Sequence, residues 1–298
     1  MTTRTTLPYP GEGDPRRCLD LYLPSTSSPA APLLVFIHGG AWRSESKDDF
    51  VDTLVPNLLK HVGLPLAILE YRLAPASPHP AQIEDVLAGL SLLTDPLLPV
   101  ESGAAKWDRS RLIVAGHSAG AFMAATLVLS PPASSSSSGS TIQPAFSVPP
   151  AIRRAVAGIV CIDGIYDLPS LLDEYPSYHY FVDDAFGTDA AVLAAESPAR
   201  WELPEDDARE GRKVRVLVLH SKEDELLSLR QPRVFLRRLK QLYGAGNSAK
   251  MTADDAVGEE DERDLPDNVE VDFESVRGTH EGLLRTEELA KVIALRMR

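Results

Sequence analysis

A serine framed by glycines, an acidic triplet far downstream and a late histidine between glycines give this chain the residue types for acyl transfer through a covalent intermediate. The serine is Ser118, in the string Gly116-His-Ser-Ala-Gly120, a G-x-S-x-G pattern. An apolar run at 111–115 precedes it and reads as a buried strand; 119–129, rich in Ala, Leu and Met, follows and reads as a helix. A tight strand-to-helix turn lifts the hydroxyl clear of the sheet and aims the helix N-terminus at it. A second string, His38-Gly-Gly-Ala-Trp42, follows the apolar run 32–37. The N–H groups of Gly39 and Gly40, with that of Ala119, are the expected oxyanion hole, and His38, Ala41 and Trp42 complete the motif beside the substrate. A serine hydroxyl needs a base oriented by a carboxylate, and in a strand–turn–helix serine enzyme those partners follow it in the order acid, then histidine. The acid lies in His220-Ser-Lys-Glu-Asp-Glu-Leu-Leu227, where Asp224 has Glu223 and Glu225 as rivals. Asp224 is favoured for its shorter side chain, with Leu226 and Leu227 to anchor the loop. Of the seven histidines, His38 and His117 belong to the motifs, and His61 and His79 precede the serine. His179 falls in the segment 163–200, expected as a cap, and His220 at the end of the acid strand, which leaves His280, in Gly278-Thr-His-Glu-Gly282, as the base.

These groups must be held by elements, and strand and helix signals alternate along the chain. Strands are expected at 17–23, 33–37, 66–69, 111–115, 155–162, 214–219 and 269–276, and helices at 47–61, 80–93, 119–129, 231–243 and 286–297. Such alternation predicts an α/β fold: a mostly parallel central sheet with helices on both faces. Residues 163–200, rich in Tyr, Phe and Asp, are long enough to form a cap over the site. Two segments break the pattern. Residues 131–150 hold five prolines and the run Ser134–Ser138 and read as a low-complexity insertion. Residues 248–268 are acidic, with eight acids and two bases between Lys250 and Asp267, and read as a solvated, mobile surface loop.

At 298 residues and 44% apolar content, one domain accounts for the whole chain. A formal charge of −13 argues against nucleic-acid binding, which requires a basic face. The N-terminus lacks the apolar core of a signal peptide and no run approaches a membrane span. Cys18 and Cys161 lie in strand-like surroundings and read as buried free thiols of a cytoplasmic protein. The expected partner is a small-molecule substrate, with neither nucleic acid nor membrane, and with room for a homodimer.

The chain resembles the kynurenine formamidase (arylformamidase) family of the α/β-hydrolase superfamily, in its fungal form, on His38-Gly-Gly-Ala-Trp42, Gly116-His-Ser-Ala-Gly-Ala121, Gly164-Ile-Tyr-Asp-Leu168 and Ser197-Pro198. The likeness spans nearly the whole chain. It implies the α/β-hydrolase fold with a cap, Ser118 as nucleophile, Asp224 as acid, His280 as base, and no metal or organic cofactor. The implied reaction is hydrolysis of N-formyl-L-kynurenine in tryptophan degradation and de novo NAD synthesis, with Trp42 as an aryl wall or a loop anchor. Departures exist. Tyr71-Arg-Leu-Ala-Pro75 is shared with hormone-sensitive-lipase-like esterases, and His220-Ser221 stands where relatives often carry His-Gly. The competing functions are a broad carboxylesterase with the same triad and a catalytically silent hydrolase-fold binding protein.

Overall fold

The computed structural model describes residues 2–11, 13–98, 106–132, 145–244 and 256–297. Eight strands form one sheet: β1 (Thr2–Pro8), β2 (Cys18–Pro24), β3 (Leu33–Ile37), β4 (Leu66–Leu69), β5 (Leu112–His117), β6 (Val156–Ile162), β7 (Arg215–Leu219) and β8 (Val269–Asp272). Their order is β1-β2-β4-β3-β5-β6-β7-β8. The pairs β1–β2 and β2–β4 are antiparallel, and every pair from β4–β3 to β7–β8 is parallel. The helices are α1 (Leu54–His61), α2 (Ala81–Thr94), α3 (Ala119–Thr126), α4 (Pro150–Ala155), α5 (Leu168–Glu174), α6 (His179–Phe186), α7 (Ala190–Glu196), α8 (Glu205–Glu210), α9 (Arg230–Tyr243) and α10 (Glu287–Arg296).

The fully apolar β3 explains why both faces of the sheet are covered. Successive side chains of a strand point to opposite faces. Leu33, Val35 and Ile37 therefore join one core with Val86 and Leu90 of α2 and Phe235 of α9. Leu34 and Phe36 join the other, with Leu54 and Leu58 of α1 and Leu289 and Ile293 of α10. Both cysteines are buried and unpaired.

Three features depart from the sequence reading. The polar strand β1 carries no apolar alternation and was not expected. It is held by its ladder to β2 and by Arg4 and Thr6, which both donate to the buried Asp20. The expected helix at 47–61 is split into a 3₁₀ turn, Lys47–Phe50, and α1. Pro56 stops a helix arriving from Lys47 because it lacks an N–H, but it is accepted in the first turn of α1, where no donor is needed. The acidic segment is the third. Where described, it is no solvated loop: Glu259–Glu262 form a 3₁₀ turn docked on α9. Asp261, 4% exposed, accepts from Arg237 Nε and Nη2 at 2.9 and 2.8 Å, and Glu262 pairs with Arg233 at 2.7 Å. Reading the segment alone missed the bases that α9 presents to it. Residues 133–144 of the Ser-rich insertion lie outside the described residues. Its C-terminal flank is packed, Ala145 N–H donating to Glu196 and Phe146 lying edge-on to His79.

Between β6 and β7, α5, α6 and α7 occupy the segment expected as a cap. The loops after β3, β5, β7 and β8 all leave the sheet at its carboxyl edge, where parallel sheets gather their functional groups.

Candidate active site

Ser118 sits where β5 turns into α3, with φ 53° and ψ −117°, a backbone that strains any residue bearing a Cβ. The turn closes only because Gly120 has no side chain: a Cβ there would lie 2.1 Å from the Ile37 carbonyl oxygen. Ser118 N–H is donated to Ile162 O at 2.9 Å, tying the strained residue to β6. Ser118 and His280 line one cavity of 220 Å³, together with Gly40, Ala41, Glu45 and Glu281. Tyr178, Tyr180 and Phe181, from the segment between β6 and β7, close its apolar side.

His280 Nδ1 lies 2.7 Å from Asp224 Oδ2. The other carboxylate oxygen accepts the N–H groups of Leu226 and Leu227 at 2.8 and 2.9 Å. Burial works to raise the Asp224 pKa, but the His280 bond and these amides outweigh it and hold the carboxyl below its usual value. With Asp224 accepting at Nδ1, the neutral ring keeps its proton there and Nε2 is the basic nitrogen. The acidic triplet divides its roles, because Glu225 Oε2 accepts the backbone N–H of His280 at 2.9 Å. Ser221 links the two loops, its Oγ donating to Gly278 O at 2.6 Å.

Beneath this pair lie groups that sequence reasoning passed over. His117 Nε2 donates to His280 O at 3.0 Å, and burial holds its pKa well below the usual value, so this neutral ring fixes the histidine loop. His220 Nε2 likewise donates to Leu227 O at 3.0 Å and lies 3.6 Å from Asp224. Asp163, at the end of β6, accepts from Ser221 N–H at 2.8 Å; burial and then the charge of Asp224 raise its pKa well above the ordinary range. Its place directly after an apolar strand was the signal available for it. Two clusters can each offer three ligand atoms within 4.8 Å of one another, His117–His280–Glu281 and Asp163–His220–Asp224. Each shares one residue with the His280–Asp224 pair.

The loop after β3 departs from the expected oxyanion arrangement at Gly39. Gly39 N–H is already donated to Glu45 Oε2 at 3.1 Å, while the following residues, Gly40 and Ala41, line the cavity. Tyr71 OH donates to both His38 O and Gly39 O, while its ring stacks on His38 at 4.0 Å. A trans peptide directs its N–H opposite to its carbonyl, so Gly40 N–H faces away from Tyr71. Of the two roles open to Trp42, the structure takes the anchor. The residue does not line the cavity but is 1% exposed, edge-on to Phe122 and Phe186 at 5.4 and 4.9 Å. Gly40, Ala41 and Trp42 all have positive φ, 79°, 50° and 59°. Left-handed backbone costs roughly 1–2 kcal/mol for each non-glycine residue. Burying about 200 Å² of indole at about 25 cal/mol per Å² offsets this. Trp42 is the loop's anchor, and the aromatic wall comes from Tyr178, Tyr180 and Phe181.

This strand order, with a strained serine after β5 and a histidine after β8, defines an α/β-hydrolase. A truncated carbohydrate esterase from gut microbiota shares the fold with a TM-score of 0.64, at 18% identity over 99% of this chain and 94% of that one. A family profile described as BD-FAE matches residues 19–239. The kynurenine formamidase of Meyerozyma guilliermondii is 34% identical over 202 residues, 66% of this chain and 67% of the relative. That of Scheffersomyces stipitis is 31% identical over 225 residues, 70% and 77% of the two chains. The chain belongs to the kynurenine formamidase family. Among the described residues no helix is long and apolar enough to cross a membrane.

Proposed function

We propose that the protein hydrolyses the formamide of N-formyl-L-kynurenine to L-kynurenine and formate, a step of tryptophan degradation towards NAD, by a Ser118–His280–Asp224 mechanism. The observation that carries the reading is the 2.7 Å Asp224–His280 bond at a cavity shared with a strained serine. The names of the relatives supply the substrate. His280 Nε2 takes the Ser118 proton as Oγ attacks the formyl carbon. The amides of Gly40, Ala41 and Ala119 hold the developing oxyanion. The C–N bond then breaks while His280 returns the proton to the departing arylamine. An arylamine conjugated to a ketone leaves more readily than an alkylamine, so the triad can cleave this amide. Water, deprotonated by His280, attacks the formyl ester and releases formate. Asp224 stays ionised throughout, fixing the ring and stabilising the imidazolium. A formyl group needs almost no acyl pocket, whereas the ring finds its wall in Tyr178, Tyr180 and Phe181. The reading includes a cytoplasmic enzyme whose one required partner is a small molecule.

The test is the Ser118→Ala variant, with kynurenine release followed by absorbance. Its kcat is expected to fall on the order of 10⁴-fold with the melting transition intact. A folded variant retaining a tenth of the activity removes Ser118 as the nucleophile.

A further inference from the structure

The cavity beside Ser118 holds two carboxyls that the proposed reaction does not use. Glu45 and Glu281 both line it, and no lysine or arginine is among the described residues that do. Arg43 stands over the Tyr180 ring at 5.4 Å and is matched by Asp184 at 3.2 Å, and Arg16, which donates to Glu45 O at 3.0 Å, is matched by Glu70 at 2.6 Å. Glu45 is held there against its own backbone preference, with φ 65° and its carboxylate on Gly39 N–H. Strain of this kind at a non-glycine residue marks a side chain whose placement the surrounding structure enforces. Glu281 approaches from the histidine loop, its carboxylate within 4.8 Å of His280 and His117 ring nitrogens. Burial first, and then the neighbouring Glu281, push Glu45 up to about 9, so Glu45 holds its proton near neutral pH. Two carboxyl groups beside Tyr178 and Tyr180, in a cavity whose described lining holds no base, suit a primary ammonium, which offers three donors and a positive charge.

We propose that Glu45 and Glu281 together form the recognition site for a primary ammonium group on the substrate, selecting aryl amides that carry an amine a few bonds from the scissile bond. The inference rests on the formamidase reading of this cavity and adds what that reading leaves open: which residues hold the amino-acid end. An incoming ammonium takes the place of the proton held by Glu45, and that proton leaves to solvent. A neutral substrate of the same shape leaves the pair as it is and gains nothing from it.

The experiment compares N-formyl-L-kynurenine with its des-amino analogue, in which hydrogen replaces the α-amino group, in the wild type, Glu45→Gln and Glu281→Gln. The readout is the ratio of the two kcat/KM values within each protein, so changes in overall rate cancel. The wild type is expected to favour the amine by ten- to a hundredfold, chiefly through KM, and each variant to lose most of that preference. Glu281→Lys, at an exposed position that folding tolerates, is expected to reverse it. A wild-type ratio near one, or a ratio unchanged in Glu281→Gln, overturns the proposal while leaving the formamidase reading in place. If instead neither formamide is turned over, the formamidase reading has failed by itself. The carboxyl pair is then judged by competitive inhibition of p-nitrophenyl acetate hydrolysis by L-kynurenine and des-amino kynurenine. Preferential inhibition by the amine that Glu281→Gln abolishes supports the proposal, and equal inhibition overturns it.

Discussion

Asp163 takes no part in the proposed reaction, yet it lies 3.6 Å from His220 in the cluster that supports Asp224. Burial and the charge of Asp224 raise its pKa in the fold, so the folded protein keeps this proton to higher pH than the unfolded chain, whose aspartates titrate near about 3.9. The group therefore favours the fold fully below about pH 4, and that contribution is lost as pH rises towards the folded value. Asp163→Asn keeps an acceptor for Ser221 N–H and removes the titration. Its Tm relative to wild type is expected to climb between pH 4 and 7, reaching a gain of a few degrees, about 1 kcal/mol. Melts across that range check it, and a difference independent of pH would mean that Asp163 is ionised in the fold. Tyr71 lies behind the loop and holds two of its carbonyls, so the proposed mechanism makes it a positioning residue. Tyr71→Phe is expected to lower kcat about tenfold, with KM little changed, because Gly40 N–H loses its fixed direction. Steady-state kinetics read this directly, and an unchanged kcat would detach Tyr71 from the oxyanion loop.

Among the elements, α9 and the acidic turn give the sharpest test of packing. The Arg237–Asp261 pair is almost fully enclosed, with side chains 5% and 6% exposed. Removing one partner of a buried pair strands the other charge. Asp261→Ala is expected to cost about 3 kcal/mol of stability, whereas Glu259→Ala, at a side chain 75% exposed, is expected to change little. Denaturant unfolding of the two variants makes the comparison, and equal stabilities would return the segment to a loose surface loop. The docking was illegible in the sequence because it depends on Arg233 and Arg237 meeting acids more than twenty residues away, a match that neither window contains. The apolar strands were legible for the opposite reason: β3 to β7 are buried on both faces, and their continuous apolar runs state this without reference to partners. The polar β1 fell outside that signal.

Over the whole molecule, the parallel sheet brings the ends of β5, β7 and β8 to one edge, which is why residues more than a hundred positions apart meet at one cavity. Chain order proposed Ser118, Asp224 and His280, and the fold sets His280 2.7 Å from Asp224 and at one cavity with Ser118. Motif position says nothing of what occupies an amide or covers an indole: Glu45 takes the Gly39 N–H, and Phe122 and Phe186 decide between the two roles open to Trp42. Glu45, Glu281 and the aromatic wall had no motif at all, since they meet only across loops from three parts of the chain. The central claim is that this edge is built for an aryl formamide rather than for esters at large. The direct measurement is kcat/KM for N-formyl-L-kynurenine beside that for p-nitrophenyl acetate, on the same preparation of wild-type protein. The account predicts a clearly higher value for the formamide, despite the ester's better leaving group. A value no higher than the ester's would contradict it and leave a broad carboxylesterase in its place.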